Sequence, residues 1–146
     1  MTCQMGSAKM LQQIEHIAIV VQDLEPALRV YRDILGLQLM RVEEVPAEKV
    51  KVAFLKLPHG EGHIELVQPT DTESGIARFL EKRGEGIHHI CFRVESVDAA
   101  MAQLLSAGME TIGQEVRVNR EGRPYAFVHP KSAHGVLIEL YETPST

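Results

Sequence analysis

The sequence reads IEHIAIVVQDLEPALRVYRDILGL at residues 14–37 and IHHICFRVESVDAAMAQLLSAGM at residues 87–109. Each stretch starts with a strand-like apolar run, continues with a polar residue suited to capping a helix, Asp23 or Ser96, and then shows the apolar spacing of a helix. Each helix pattern stops at a glycine (Gly36 and Gly108). The chain therefore contains an internal repeat of a strand followed by a helix.

Three further strands are predicted after each helix, because short apolar runs alternate there with turn residues. These strands cover residues 38–45, 50–57 and 63–68 in the first repeat, and residues 110–118, 124–129 and 135–141 in the second. Each repeat is thus a βαβββ module. The intervening TDTESGIARFLEKRGEG is predicted to form one more short helix, which Thr72 or Ser74 caps and Gly84 ends.

A glutamate stands inside an apolar run near the end of the chain, in GVLIELYE at residues 135–142. Alternate residues of a strand point to opposite faces, so Glu139 shares its face with Leu137 and Tyr141, and both faces of this strand are expected to be buried. An ionised carboxylate in such a place is costly unless it is paired, hydrogen-bonded or bound to a metal. The same Ile-Glu-Leu tripeptide occurs in GHIELVQP at residues 62–69, so this carboxylate belongs to the repeat.

Two histidines and two glutamates occupy equivalent positions in the repeats. His89 follows His16 by 73 residues (89 − 16), and Glu139 follows Glu65 by 74 residues (139 − 65). Imidazole nitrogen and carboxylate oxygen are suitable ligands for Zn, Co, Ni, Fe or Mn. The sequence therefore predicts one divalent metal site with these four ligands. The adjacent His88 points to the other face of its strand and is expected to pack or to support a ligand.

The predicted fold is α+β, with two tandem βαβββ modules forming one curved eight-stranded sheet around a metal cleft. A helix covers only one face of each module, so the second faces of both modules can line a common cleft. The predicted boundaries are a loose N-terminal segment at 1–13, a first module at 14–71, a linker helix at 72–86 and a second module at 87–146, all in a single domain at 14–142. A chain of 146 residues is long enough for such a domain.

Composition and charge exclude several classes of function. The chain has 15 basic and 20 acidic residues and a net charge of −5, which is not the electrostatic footprint of a nucleic-acid-binding protein. Cys3 and Cys91 are too few for a disulfide framework and favour a reducing, cytoplasmic location. Neither a signal peptide nor an apolar stretch of about 18 residues is visible, so no membrane span is expected.

The paired βαβββ modules with their His/Glu/His/Glu set resemble the vicinal-oxygen-chelate, or glyoxalase-type, superfamily. Within it, RGEGIHHICFRVESVDAA, HPKSAHGVLIELYE and EHIAIVVQDLEPALRVYRDILG resemble the methylmalonyl-CoA epimerase family, and the likeness runs from Ile14 to Glu142. The resemblance implies an enzyme that interconverts (2R)- and (2S)-methylmalonyl-CoA by removing and returning the C2 proton through an enolate. It also implies a homodimer and one divalent ion, Co²⁺ in first place and Zn, Ni, Mn or Fe as alternatives. Some members of the family have glutamine at the position of Glu65, so the glutamate here adds a negative charge.

Inversion at C2 requires a base on one face of the carbon and an acid on the other. Under the resemblance, Glu139 is the first candidate for these roles and Glu48 the second, with Glu65 as the competitor of Glu48. Candidate partners for the substrate carboxylate or the CoA phosphates are Lys131, Ser132, Arg93 and Arg123. The implied partner is thus a small-molecule CoA thioester, with no nucleic acid and no membrane.

Three alternatives remain open on sequence alone. A glyoxalase I-type lactoylglutathione lyase uses the same ligand types. An extradiol dioxygenase is less favoured, because a site of two histidines and one carboxylate leaves the fourth ligand unexplained. A non-catalytic small-ligand-binding protein of the same fold would not need all four ligands.

Overall fold

The structure, a computed structural model, describes residues 9–143. Most of the N-terminal segment predicted to be loose, including Cys3, lies outside the described residues, whereas Gln13 already belongs to the first strand. The elements follow in this order: β1 (Gln13–Val20), α1 (Leu24–Leu28) continued by a π-helix (Arg29–Ile34), β2 (Gln38–Val45), β3 (Val50–Lys56), β4 (His63–Pro69), α2 (Gly75–Arg83), β5 (Gly86–Val94), α3 (Val97–Ser106), β6 (Thr111–Val118), β7 (Pro124–Val128), a 3₁₀ turn (Pro130–Ala133) and β8 (Ile138–Glu142). This order confirms the α+β class and the repeated βαβββ pattern with a helix between the repeats.

Side chains cap the three α-helices at the positions that the sequence predicts. Asp23, Ser74 and Ser96 each accept a hydrogen bond from a backbone N–H two or three residues further along. Ser74, and not Thr72, is therefore the cap of α2. Such caps satisfy N–H groups that the first turn of a helix leaves without a partner. The helix ends are also as predicted, since Gly84 terminates α2 with a φ of 76°.

Residues Ile14–Cys91 form one compact unit, in which the strands lie in the order β2-β3-β4-β1-β5. β1 and β4 are parallel, with His16 opposite His63 and Ala18 opposite Glu65. β3 is antiparallel to β4 and places Phe54 opposite Glu65. Residues aligned across neighbouring strands point to the same face, so these five side chains share one face of the sheet, which we call the histidine face.

The opposite face of this sheet packs against α1. Its core contains Val21, Leu24, Leu28, Ala53, Leu55 and Leu66, with Ile19 packed at the margin. This burial follows from the parity of β1 in the sequence, which places Ile19 and Val21 on the helix-covered side. Leu66 is fully buried, and burial of such a side chain contributes about 1.5–3 kcal/mol.

Apolar side chains and the linker helix cover the part of the histidine face that lies away from the histidines. A second cluster of Ala18, Val50, Val52 and Val67 lies on it, and Ile76 of the linker helix α2 packs against this cluster. The linker helix thus covers part of the face that the repeat pattern left without a helix, and the titratable side chains lie at one end of that face.

Among the described residues, the second compact unit contains residues 92–143 together with residues 9–13. Here β6, β7 and β8 are antiparallel neighbours, and β7 places Phe127 opposite Glu139. Helix α3 packs on this sheet through a core of Val94, Val97, Ala100, Met101, Ala126, Val128 and Leu140. The core of each unit is therefore built around the helix of one repeat.

The last strand is shorter than predicted. β8 starts at Ile138, because His134 with φ 55° and Gly135 with φ 97° adopt left-handed conformations that interrupt an extended chain. Leu140 is buried as expected, whereas Val136 is 39% exposed, so the expectation that both faces of GVLIELYE are buried is wrong at its beginning. Among residues 9–143, no helix is long and apolar enough to cross a bilayer.

Candidate metal centre

His16 and His89 bring their Nε2 atoms within 3.2 Å of each other. Metal–nitrogen bonds of about 2.0–2.1 Å place two ligand nitrogens roughly 2.9–3.4 Å apart at octahedral to tetrahedral angles. The separation of the two imidazoles therefore fits the coordination of one ion. His16 is only 9% exposed, so an ion between these nitrogens would be largely shielded from water on this side.

Glu65 lies beside the other nitrogen of His16. Its Oε2 is 3.2 Å from His16 Nδ1, and both side chains are mostly buried. An anion beside Nδ1 favours the neutral tautomer that carries its hydrogen there, which leaves the lone pair of Nε2 for a metal. The structure thus brings together three of the predicted ligands, His16, Glu65 and His89, within the unit Ile14–Cys91.

His88 contacts the outer nitrogen of His89. The two Nδ1 atoms are 2.9 Å apart, and the His88 ring packs edge-on against Phe79 of α2, with ring centroids 5.0 Å apart. A metal-binding histidine commonly uses its second nitrogen for such a contact, which fixes the orientation of the ring. His88 is therefore placed to support His89, as the sequence predicts.

The sequence pattern did not indicate two further residues of this cluster, His63 and Glu15. Their side chains are 13% and 12% exposed, and His63 Nδ1 lies 3.9 Å from Glu15 Oε1. His63 Nε2 is 2.7 Å from Glu65 Oε2. Glu15, His16 and His63 form a group whose ligand atoms all lie within 4.8 Å of one another. The available signal was the spacing of His63 and Glu65, which places both on one face of β4.

The donors of this cluster suit a divalent cation. Two carboxylates and several imidazoles converge near the starts of β1 and β4, where little water can compensate their charge. Buried carboxylates of this kind are stable when paired or metal-bound. The residues present therefore fit a divalent metal ion by number, type and spacing.

Glu139, the fourth predicted ligand, belongs to the second compact unit. It is half-buried on β8, opposite Phe127.

Of the predicted acid–base residues, Glu48 is exposed in the turn between β2 and β3, where its N–H donates to the carbonyl of Val45. A carboxylate that was not predicted, Glu43 of β2, lies on the histidine face, because it is opposite Val52 of that face. Arg41 Nε donates to Glu43 Oε1 at 2.8 Å. The neighbouring Glu44 points to the other face. The repeat gave no signal for Glu43, since its orientation depends on the register of β2 with β3.

The predicted substrate-binding residues lie in the second unit and have different surroundings. Lys131 is exposed, and its Nζ is 4.0 Å from a carboxylate oxygen of Glu110. Ser132 Oγ accepts a hydrogen bond from the backbone N–H of Glu110 at 2.7 Å. The Arg123 guanidinium is 5.4 Å from the ring centroid of Tyr141. Arg93 is half-buried on β5, and its carbonyl accepts a hydrogen bond from a backbone N–H.

A family model described as Glyoxalase/Bleomycin resistance protein/Dioxygenase superfamily matches residues 15–127. The chain is 41% identical to an ethylmalonyl-CoA/methylmalonyl-CoA epimerase of Cereibacter sphaeroides, over 90% of this chain and 98% of the relative. It is 39% identical to the mitochondrial methylmalonyl-CoA epimerase of Homo sapiens, over 92% of this chain and 76% of that protein.

A solved structure agrees with these relatives. It is a methylmalonyl-CoA epimerase in complex with methylmalonyl-CoA and NH₄⁺, which superposes with a TM-score of 0.82 at 33% sequence identity. The alignment covers 92% of this chain and 96% of that chain. The curved, unclosed sheet and helices of such structures therefore describe the fold class of this chain as well.

Proposed function

Because the chain belongs to the glyoxalase/bleomycin resistance protein/dioxygenase superfamily, we propose that it is a methylmalonyl-CoA epimerase, an isomerase that interconverts (2R)- and (2S)-methylmalonyl-CoA. The observation that carries this proposal is the partly buried His16–His89 pair with nitrogens 3.2 Å apart, in a chain 41% identical to an epimerase. The same relatives favour the epimerase over the lactoylglutathione lyase and over a non-catalytic binder.

For the metal site we propose the ligands His16, Glu65, His89 and Glu139. The contact between His16 and His89 supports these two ligands, and the internal repeat supports the two glutamates, since Glu139 corresponds to Glu65. When bound, a divalent ion would stabilise negative charge on the thioester oxygen by roughly several kcal/mol. We propose Co²⁺ as this ion, with Zn, Ni, Mn and Fe as alternatives to be compared by metal analysis of purified protein.

The side chains have to move one proton at C2 of the substrate, which lies between a carboxylate and a thioester carbonyl. A base must come within about 2.6–3.2 Å of the proton-bearing atom, and a second group on the opposite face must return the proton. We propose Glu139 for one role and a carboxylate of the β2–β3 hairpin for the other. Glu48 is the residue proposed from the sequence, and Glu43, which lies on the histidine face, is a further candidate from the same hairpin.

For the substrate's anionic groups we propose Lys131, Ser132, Arg93 and Arg123. Lys131 is the most exposed of them and is therefore available to a carboxylate or a CoA phosphate. A homodimer and a cytoplasmic location stay predictions. Sedimentation velocity would measure the first and fractionation of cells the second.

The experiment that tests this function is incubation of the metal-loaded protein with one epimer of methylmalonyl-CoA in D₂O. We expect deuterium at C2 together with formation of the other epimer, because removal of the proton makes C2 exchangeable on both faces. Chelated protein is the control and should give neither.

Absence of exchange under saturating Co²⁺ would refute the epimerase. The glutathione hemithioacetal of methylglyoxal, supplied with Ni²⁺ or Zn²⁺, would then test the lyase alternative.

A further inference from the structure

His63 makes a short contact in the metal centre but is not among its proposed ligands. Its Nε2 lies 2.7 Å from Glu65 Oε2, and the same oxygen is 3.2 Å from His16 Nδ1. His63 is mostly buried where β4 begins, and the parallel register of β1 and β4 places it directly opposite His16. One carboxylate oxygen thus lies between two imidazoles.

The direction of this hydrogen bond follows from the chemistry of the acceptor. An ionised carboxylate can only accept, so Nε2 of His63 must carry the hydrogen. Hydrogen bonds to a charged acceptor are short and about twice as strong as neutral ones, in agreement with the 2.7 Å distance. On the other side of the ring, Glu15 Oε1 is 3.9 Å from Nδ1, too far for a hydrogen bond but close enough to stabilise a donor.

The surroundings of His63 hold its ring in place. The ring lies 5.1 Å from the His16 ring and 5.9 Å from the Phe54 ring, measured between centroids. The side chain of Glu65, by contrast, has several rotatable bonds, and ordering it costs conformational entropy. A fixed donor on Oε2 reduces the freedom of this carboxylate before any ion binds.

From these contacts we propose that His63 is a positioning residue, which donates to Glu65 and holds its carboxylate ready for the metal. The inference rests on the proposed metal site of the epimerase and extends it by one residue. Partners of metal ligands commonly change metal affinity by about 10- to 100-fold when they are removed. His63 therefore acts on the affinity for the ion, through Glu65, and does not touch the substrate.

The test compares His63→Leu, His63→Asn and His63→Gln in the full-length protein. Leu removes the donor, Asn keeps an amide too short to reach Oε2, and Gln places an N–H donor near the position of Nε2. The matched control is His59→Leu in the exposed loop before β4. The readouts are Co²⁺ affinity and stoichiometry, measured on metal-free protein by competition with a chromogenic chelator, with circular dichroism to confirm folding.

We expect the Leu and Asn variants to bind Co²⁺ about 10- to 100-fold more weakly than the parent, and the Gln and His59 variants to stay within about threefold. Each chain should bind one ion. At saturating Co²⁺ the Leu and Asn variants should recover most of their kcat, because the chemistry does not use His63. The Asn variant keeps a polar side chain, so the comparison stands even if Leu prevents folding.

Three results would overturn the inference. Unchanged affinity in the Leu and Asn variants would show that the donor is irrelevant. Equal losses in the Gln and Leu variants would show that hydrogen bonding is not what His63 supplies. Two ions per chain would assign His63 and Glu15 to an ion of their own.

These readouts separate the inference from the proposed function. If the parent shows no epimer formation but the Co²⁺ affinities follow the expected order, the function fails and the role of His63 stands. If epimerisation is metal-dependent and the affinities do not change, only the role of His63 fails. A parent that binds no divalent ion would refute both.

Discussion

Carboxylates in this protein are distinguished by the face of the strand that carries them. Glu43 and Glu44 are neighbours in sequence, yet Glu43 lies opposite Val52 and Glu44 opposite Lys51. Because strand neighbours point to opposite faces, only Glu43 shares the face of the metal centre. Glu48, three residues past the end of β2, is exposed in the turn. The three residues therefore form a natural series for locating the second acid–base group.

We expect Glu43→Gln to lower kcat by about 10²- to 10⁴-fold, the usual contribution of a general acid–base group. Glu44→Gln is the matched control and should leave kcat unchanged. The measurement is deuterium incorporation from D₂O, started separately from each epimer, because loss of one base should affect the two directions of exchange differently. A large loss in Glu48→Gln with normal exchange in Glu43→Gln would assign the role to Glu48 instead.

The residues of the candidate site differ in how far the sequence could predict them. His16, Glu65 and His89 were predictable because duplication places each at an equivalent position in both repeats. His63 and Glu43 were not predictable, because neither has a counterpart in the other repeat. The position of each side chain on the histidine face depends on strand register. Register depends on which strands pair, and pairing is a property of the folded sheet.

At the scale of single elements, the start of α2 carries a charge that should affect stability. Asp71 Oδ1 accepts hydrogen bonds from the backbone N–H groups of Ser74 and Glu73, and its Oδ2 is 3.3 Å from Lys49 Nζ. The hydrogen bond from the Ser74 backbone is the main cause that lowers the pKa of Asp71 below 3.8, and the side chains of Ser74 and Lys49 lower it further. The folded state thus favours the ionised form.

A lowered pKa in the folded state means that the stabilisation is present above the ordinary carboxyl pKa and is lost as the pH falls through the folded value. We expect Asp71→Ala to lower Tm at about pH 6 and to have a smaller effect at about pH 2.5, because a falling pH protonates the carboxyl in the unfolded state first and so removes progressively more of the stabilisation. Thermal unfolding followed by circular dichroism at the two pH values measures the difference. Glu73→Ala serves as the control for loss of a nearby negative charge. An equal effect of Asp71→Ala at both pH values would contradict the prediction.

The bounds of the helices were easier to predict than those of the strands, because helix ends depend on local sequence. Helix starts and ends follow local chemistry, so Asp23, Ser96 and Gly84 could be assigned from the sequence alone. The start of β8 could not, because a left-handed His134 is rare for a residue other than glycine and has no strong local signal. An apolar run such as GVLI therefore looks like a strand until the backbone is known.

At the scale of the whole molecule, a bound ion should stabilise the native state because unfolding disperses its ligands. A metal at about 100 times its Kd adds roughly 2.7 kcal/mol to the free energy of unfolding, and a tenfold rise adds about 1.4 kcal/mol more. We therefore expect the urea midpoint to rise with Co²⁺ concentration and to fall when a chelator is added. His16→Ala should abolish the dependence while remaining folded at low metal. A urea midpoint that does not change with Co²⁺ concentration would contradict the proposed metal site.

The overall architecture was predictable because the same pattern of helix and strands occurs twice in the sequence. The repeated order of one strand, one helix and three strands implies eight strands from a few local patterns, and the described residues contain them. What the repeat could not reveal is the second role of the linker, since Ile76 packs on the histidine face only after the chain has folded.

The π-helix accommodates a difference in length between the two repeats. In the first repeat the terminal glycine lies 13 positions after the cap (36 − 23), and in the second it lies 12 positions after the cap (108 − 96). The extra residue is absorbed where the N–H of Leu35 bonds to the carbonyl of Val30, five residues back, in a wide turn that α3 lacks. The extra residue of the first repeat is thus accommodated inside one helix, and the strand before it, which carries His16, keeps its place beside β4.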